Sequence, residues 1–383
     1  MIPTDFEFTS RRSPVLGRGG MVAASQPLAV AAGLKILAAG GSAADAAVAT
    51  AAALNVTEPT STGLGGDAFA LFYEASSRKV YALNGSGRCP ERLTLERLRR
   101  EGLGEALPPY HAYTITVPGA CAAWCDIVER FGRLSMAEVL APAGHLAEEG
   151  FPVAPLTALS WQRGAEAQLR QAVNGSELTV DGRAPRTGEV FRNPGLARTF
   201  AQIARGGKRA FYEGPVAESI SAVVQEAGGC LMQSDLAAHR STWEEAVRVR
   251  YRDLHIWECP PNGQGLAALL ALNLLEGFDL AALPPLSPER LHLEIEALRI
   301  AFADAFYYVA DPAFSPAPLV DLLSPAYSAE RRKLIHPRRA NRALEHGVPA
   351  ASSDTVYFSV VDGVGNACSF INSNYMGFGT GIV

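Results

Sequence analysis

The stretch Gly63-Leu64-Gly65-Gly66-Asp67 frees a run of backbone amides, the feature that lets a loop cradle an anion. A phosphate loop leads from strand to helix and carries Lys followed by Ser or Thr. This one leads from a helical stretch towards the apolar run at Phe69, which leaves a structural turn or a close approach to substrate as the open readings. The seven His residues are dispersed, none with Asp, Glu or Cys at metal-ligand spacing, and no Gly-x-Ser-x-Gly elbow occurs, so zinc-hydrolase and serine-hydrolase chemistry lack support. Cys121 and Cys125 lie one helical turn apart and, with no second pair or nearby His, read as core residues rather than metal ligands. Asp304 and Asp311 are carboxylates suited to acid/base work, but without a partner in the sequence they read as an exposed helix charge and an Asp-Pro turn. Thr355 opens a strand, where a β-branched residue is ordinary, and composition does not single it out.

The elements that would position such residues alternate early and pair late. Pro27 to Ala39 reads as a helix closed by Gly40 and Gly41, and Ser42 caps a second Ala-rich helix to about Val56, a tight hairpin laid against a sheet. Ala68 to Glu74 and Lys79 to Leu83 form a strand hairpin, followed by the loop Asn84 to Gly87. Ser135 with Glu138 is a capping box opening a helix that Pro142 should bend. Gly150 to Arg186 shows no periodicity. A helix over Pro215 to Ala227 is followed by one strand over Arg248 to Glu258. Gly265 to Leu275 is an apolar helix, and Ser287 with Pro288 opens a long amphipathic one through Leu291, Ile295, Leu298 and Phe302. Two strands, Thr355 to Asp362 and Asn366 to Ser373, close the chain. The pattern predicts a layered α+β or α/β architecture with one continuous core.

The 383 residues suffice for two or three domains by size, and 48% hydrophobic against 19% charged residues can bury a sizeable core. A net charge of -5 argues against a nucleic-acid partner, and the short basic runs Arg97, Arg99, Arg100 and Arg331, Arg332, Lys333 read as solvated helix faces. No window is apolar and long enough to span a bilayer, so no membrane partner is expected. Met1 to Arg18 has no apolar secretion-signal core and the six cysteines are scattered, from which a cytoplasmic chain with reduced thiols is expected.

Several segments in order carry a resemblance: Gly19 to Ser25 (GGMVAAS), Pro59 to Gly66 (PTSTGLGG), Val117 to Gly119, Phe211 to Ala217 (FYEGPVA), Pro260 to Gly265 (PPNGQG), Leu291 to Asp304, and Asp354 to Asp362 (DTVYFSVVD). From Gly17 to the C-terminus the sequence resembles the γ-glutamyltranspeptidase (glutathione hydrolase) family of N-terminal-nucleophile amidohydrolases. The resemblance implies a four-layer αββα sandwich and self-cleavage between Asp354 and Thr355, with residues 1–354 as the large-subunit region and 355–383 as the start of the small subunit. It implies that Thr355 is the nucleophile and that Ser373 stands where the family has a Thr that hydrogen-bonds it. No metal or organic cofactor is implied; the partners are a small-molecule amide and the two subunits of one precursor.

The family's glutamate-clamping Arg falls at Ser86, with Arg88 two residues later as the candidate for a substrate carboxylate, and a family Asn is replaced by Tyr375. These departures resemble the glutathione-hydrolase-like branch that includes oxamate amidohydrolases and cephalosporin acylases. A non-catalytic amide-binding relative is the rival from another class. The comparison further implies a sandwich incomplete at its C-terminus, lacking later strands and an oxyanion loop. From this follow an exposed sheet edge beside Asn366 to Ser373 and negligible activity of the chain alone.

Overall fold

The computed structural model describes residues 13–104, 106–342, 344 and 356–383. Its first elements are strand β1 (Gly20–Ala23) and helices α1 (Pro27–Ala38) and α2 (Ala43–Thr57). Ser42 caps α2 as expected, its hydroxyl accepting from Ala44 and Asp45 N–H groups while the Asp45 carboxylate accepts from the Ser42 N–H at 2.8 Å. All fifteen residues of α2 are buried. Alanine combines the best helix propensity with the smallest side chain, so this helix can be surrounded closely on every side. Gly33 on α1 shows how closely: a Cβ there would sit 2.3 Å from Thr50 Oγ1.

Around α2 lies a six-stranded antiparallel sheet, with α3 (Ala120–Phe131) and α4 (Met136–Glu149) completing the enclosure. Helix α4 opens on the expected Ser135–Glu138 capping box and continues through Pro142. The sheet adds β2 (Asp67–Glu74), β3 (Lys79–Gly85) and β4 (Thr242–Glu245) to the N-terminal strand. Strands β5 (Val247–Tyr251) and β6 (Leu254–Glu258) pair only with each other, and β7 (Val356–Asp362) and β8 (Ala367–Ser373) return to the large sheet. The order is β1-β7-β8-β2-β3-β4. Strand β8 is therefore paired on both sides, and the exposed edge expected beside Asn366 to Ser373 is not found there. The edges are β1 and β4. One face of the sheet is dry, with Phe72, Phe358, Val360 and Phe370 each 1% exposed; on the other face Tyr73, Tyr357 and Val361 are open.

The second half is built on α6 (Gly265–Leu275) and α7 (Pro288–Tyr308), with α5 (Pro155–Gly164) lying earlier in the chain. The β5–β6 hairpin packs on α6, so helix-on-sheet layering occurs twice and the class is α+β. Its apolar residues form two clusters separate from the main one, which divides the expected continuous core.

Four other expectations change here. The single strand over Arg248 to Glu258 is a hairpin, turned at Arg252 in the left-handed region (φ 57°), a position with no glycine or asparagine to announce it. In α7 the buried face is Leu293, Ala297, Ile300 and Asp304, whereas Leu291, Ile295 and Leu298 are exposed. Asp304 is a buried partner, held bidentately by Arg331 at 2.6 and 3.1 Å, and Arg332 donates to the Leu274 and Asn273 carbonyls; that basic run ties α6, α7 and the helix Pro325–Arg332 together.

Gly33→Ala is predicted to lower unfolding free energy by about 1–3 kcal/mol through overpacking against Thr50 and Val22. Gly144→Ala on α4, where a Cβ meets nothing within 4 Å, is predicted to raise it by about 0.4–1 kcal/mol. Urea midpoints of the two variants check this; equal shifts would contradict the close helix packing.

Candidate active site

Register brings three strand ends together. Ser373 at the end of β8 pairs with Asp67 at the start of β2, and on the other side Asn372 pairs with Val356, the first described residue of β7. Thr355 and Asp354, the expected nucleophile and cleavage position, lie outside the described residues. The Ser373 hydroxyl accepts from the Tyr375 N–H at 2.9 Å, and Tyr375 holds a left-handed φ of 73° to make that bond. Asn372, 1% exposed, accepts from Trp124 Nε1 at 3.0 Å and donates to the Gly63 carbonyl at 3.3 Å. The strand end is thus pinned to α3 and to the glycine-rich loop.

That loop works by close backbone approach. A Cβ on Gly66 would fall 1.9 Å from the Ser373 carbonyl oxygen. The Gly66 carbonyl accepts from both Gly119 and Ala120 N–H at 3.0 Å, at the N-terminal end of α3. Of the two readings left open for the loop, the turn is found, and the loop also forms part of a cleft wall with Ser373.

The cleft has a volume of about 1270 Å³. Ser373, Asn374, Tyr375 and Met376 form one wall and Gly63 to Asp67 another. Phe69, Phe191, Phe211 and Phe378 make much of it apolar, and the charged side chains on it among the described residues are Asp67, Glu177 and Arg198. Sequence reasoning did not single out Glu177 or Arg198, and it named Asp67 only as the end of the glycine-rich stretch. Burial pushes the Asp67 carboxyl up from its ordinary 3.8 to about 6, although backbone N–H groups at Gly87 and Gly119 pull the other way.

Of the four residues expected at the site outside the cleavage position, Ser373 and Tyr375 share the cleft wall, while Ser86 and Arg88 stand off it. The Ser86 hydroxyl donates to Asn84 Oδ1 and accepts from Asn262 Nδ2, each at 2.8 Å; Asn84 donates in turn to Asn262 at 2.8 Å, closing a ring that ties the loop after β3 to the Pro260–Gly265 turn. Arg88 is exposed, its carbonyl accepts from Val117 N–H at 2.9 Å, and its charge adds to burial in pushing His239 down to about 4. Cys121 and Cys125 are buried on α3, as a core reading requires.

A carboxyl raised by burial stabilises the fold while protonated and loses that contribution as pH rises through its folded value. The stability of the wild type relative to Asp67→Asn is therefore predicted to fall as pH goes from about 4 to about 7. Denaturant midpoints of both proteins across that range check it; a pH-independent difference would contradict a raised Asp67 carboxyl.

The sequence matches the family described as Gamma-glutamyltranspeptidase over residues 29–383. It is 37% identical over 370 residues to the glutathione hydrolase-like YwrD proenzyme of Bacillus subtilis, covering 96% of this chain and 69% of that protein. It is 34% identical over 377 residues to an Acylase ACY 1 proenzyme of a Pseudomonas strain, covering 96% and 67%. Among solved structures, cephalosporin acylase from Bacillus halodurans superposes with a TM-score of 0.89 at 44% identity, over 100% of this chain and 70% of that one. Helicobacter pylori gamma-glutamyltranspeptidase superposes at 0.78 and 28% identity, over 88% and 99%. The chain spans about two thirds of the length of the curated relatives it matches. The likeness in fold extends over both helix-on-sheet halves, and with the sequence match over nearly the whole chain it shows that this protein belongs to the gamma-glutamyltranspeptidase family of N-terminal-nucleophile hydrolases.

Proposed function

We propose that the protein is the precursor of an acyl-amide hydrolase or acyltransferase that cleaves itself before Thr355 and then uses Thr355 as its nucleophile. The observation that carries this reading is the placement of the Ser373 hydroxyl, fixed by the Tyr375 N–H at a cleft wall, on the strand paired with the one that begins at Val356. A hydroxyl there can hydrogen-bond a nucleophile on the residue before Val356. In the precursor the Thr355 Oγ attacks the Asp354 carbonyl carbon and the C–N bond between Asp354 and Thr355 breaks, which turns the peptide into an ester and frees the Thr355 α-amine; water then hydrolyses the ester, releasing the Asp354 carboxylate and the Thr355 hydroxyl. Residues 1–354 then form the large subunit, and the chain from residue 355 begins the small one.

The freed amine, with a pKa near ~8, takes the Thr355 hydroxyl proton as the oxygen attacks the substrate amide carbonyl. The leaving amine departs with a proton, and water or a second amine resolves the acyl-enzyme ester. No step in this sequence calls for a metal or organic cofactor.

The substrate class is a short acyl amide. Relatives include both a glutathione hydrolase-like proenzyme and acylases, and the cleft supports weighting the acylase side. Ser86, where the family's glutamate-clamping Arg falls, is bonded into the Asn84–Asn262 ring, and Arg88 is off the cleft wall. A γ-glutamyl group needs its α-carboxylate and α-amine held, whereas an apolar wall bearing Arg198 suits an acyl chain that ends in a single carboxylate.

Turnover of glutaryl-p-nitroanilide is predicted to exceed that of γ-glutamyl-p-nitroanilide in kcat/KM, and the reverse order would return the glutamyl reading to first place. Ser373→Ala is predicted to lower kcat by about 10²-fold with KM little changed, and Thr355→Ala to abolish turnover. Steady-state kinetics on both amides, with a protein whose small subunit is complete, check the set; a Ser373→Ala protein with unchanged kcat would remove the hydroxyl from the mechanism.

A further inference from the structure

From the segment without sequence periodicity, Gln168 projects towards the candidate active site. It lies on a π-helical turn, Ala165–Leu169, that extends α5, and is 7% exposed. Such turns displace a side chain from the ordinary helical face and recur at functional sites. Gln168 Nε2 donates to the Met376 carbonyl at 3.0 Å and to the Gly379 carbonyl at 2.6 Å, and Oε1 accepts from the Phe378 N–H at 3.3 Å. One carboxamide thus takes three backbone groups of a single loop.

The loop needs that support. Tyr375, Gly377, Gly379 and Gly381 all have left-handed φ values, 73°, 53°, 65° and 78°, so it can continue neither strand nor helix, and Tyr375 pays a steric cost for its conformation. The same loop lines the cleft through Tyr375, Met376, Phe378 and Gly379, and its first residue supplies the N–H that fixes the Ser373 hydroxyl. Phe378 packs edge-on to Trp161 of α5 with ring centroids 5.9 Å apart, which brings the loop against the π turn. Gly377 permits the approach, since a Cβ there would sit 2.5 Å from Gln168 Oε1. Gln168 itself is not part of the cleft wall.

We propose that Gln168 is a positioning residue for the reaction: it sets the loop Tyr375–Gly381 so that the Tyr375 N–H aims at the Ser373 hydroxyl, and it does so without touching substrate. The proposal rests on the reading of Ser373 as a hydroxyl that assists the nucleophile. Leucine at this position keeps the apolar bulk and removes all three bonds, and glutamate keeps the shape while turning a carboxylate towards two carbonyls.

The test is a double-mutant cycle on the purified protein with an acyl p-nitroanilide, together with amide hydrogen exchange of residues 375–381. Gln168→Leu and Gln168→Glu are each predicted to lower kcat about tenfold or more and to speed exchange in the loop. In a Ser373→Ala background the same changes are predicted to lower kcat less than twofold, because they act through the hydroxyl already removed. Faster exchange with kcat unchanged would overturn the proposal while leaving the proposed function standing, and so would losses that multiply in the double variant. A wild-type protein whose small subunit is complete and that shows no turnover would overturn both.

Discussion

One carboxylate joins the two ends of this chain. Asp362, 5% exposed, accepts from the Val364 and Asn366 N–H groups and from the Asn366 side chain within the β7–β8 turn, and its second oxygen accepts from the Ala43 N–H at the start of α2 at 3.1 Å. It therefore shapes the turn between the last two strands and adds a cap to the buried helix beneath them. A carboxylate suits that place because the first turn of a helix has N–H groups with no partner in the helix and a favourable dipole. Side chains alternate across a strand, so a one-residue slip of β8 would turn Phe370 and Cys368 out of the core and move Ser373 away from Asp67. The turn at Asp362 and the burial of that face favour the same register, and the cleft inherits its geometry from both.

At the cleft the structure substitutes backbone proximity for side-chain bulk. Gly66 lies against the Ser373 carbonyl, the Gly66 carbonyl bonds the start of α3, and Asn372 ties the strand to Trp124 and Gly63. The arrangement half-buries Asp67, and holding a carboxylate in such a place favours its protonated form. A well-supported shell lets a single hydroxyl keep its orientation on a loop that is otherwise unfavourable in conformation.

What could be read beforehand was what local chemistry dictates. The Ala-rich hairpin closed by Gly40 and Gly41, the Ser42 and Ser135 caps, and the strand pairs near both ends follow from propensity, capping and alternation. The turn at Arg252 escaped because its left-handed residue is not a glycine or asparagine. In α7 apolar residues occupy two faces, and the buried one is the face that packs on Leu274 and Leu275 of α6, with Arg331 reaching Asp304 from a later helix. Gln168 was invisible for a different reason: its partners lie 208 to 211 residues away, and no local pattern encodes such a contact. Thr355 was singled out by resemblance alone, since a threonine opening a strand carries no signal of its own.

The account turns on whether the bond before Thr355 breaks by the protein's own chemistry. N-terminal sequencing of the purified, incubated protein measures it directly. A second polypeptide starting Thr355-Val356-Tyr357, absent from a Thr355→Ala variant prepared in parallel, is the predicted result. A wild-type chain that stays intact throughout, or a cut at this position that persists in the variant, would contradict the account.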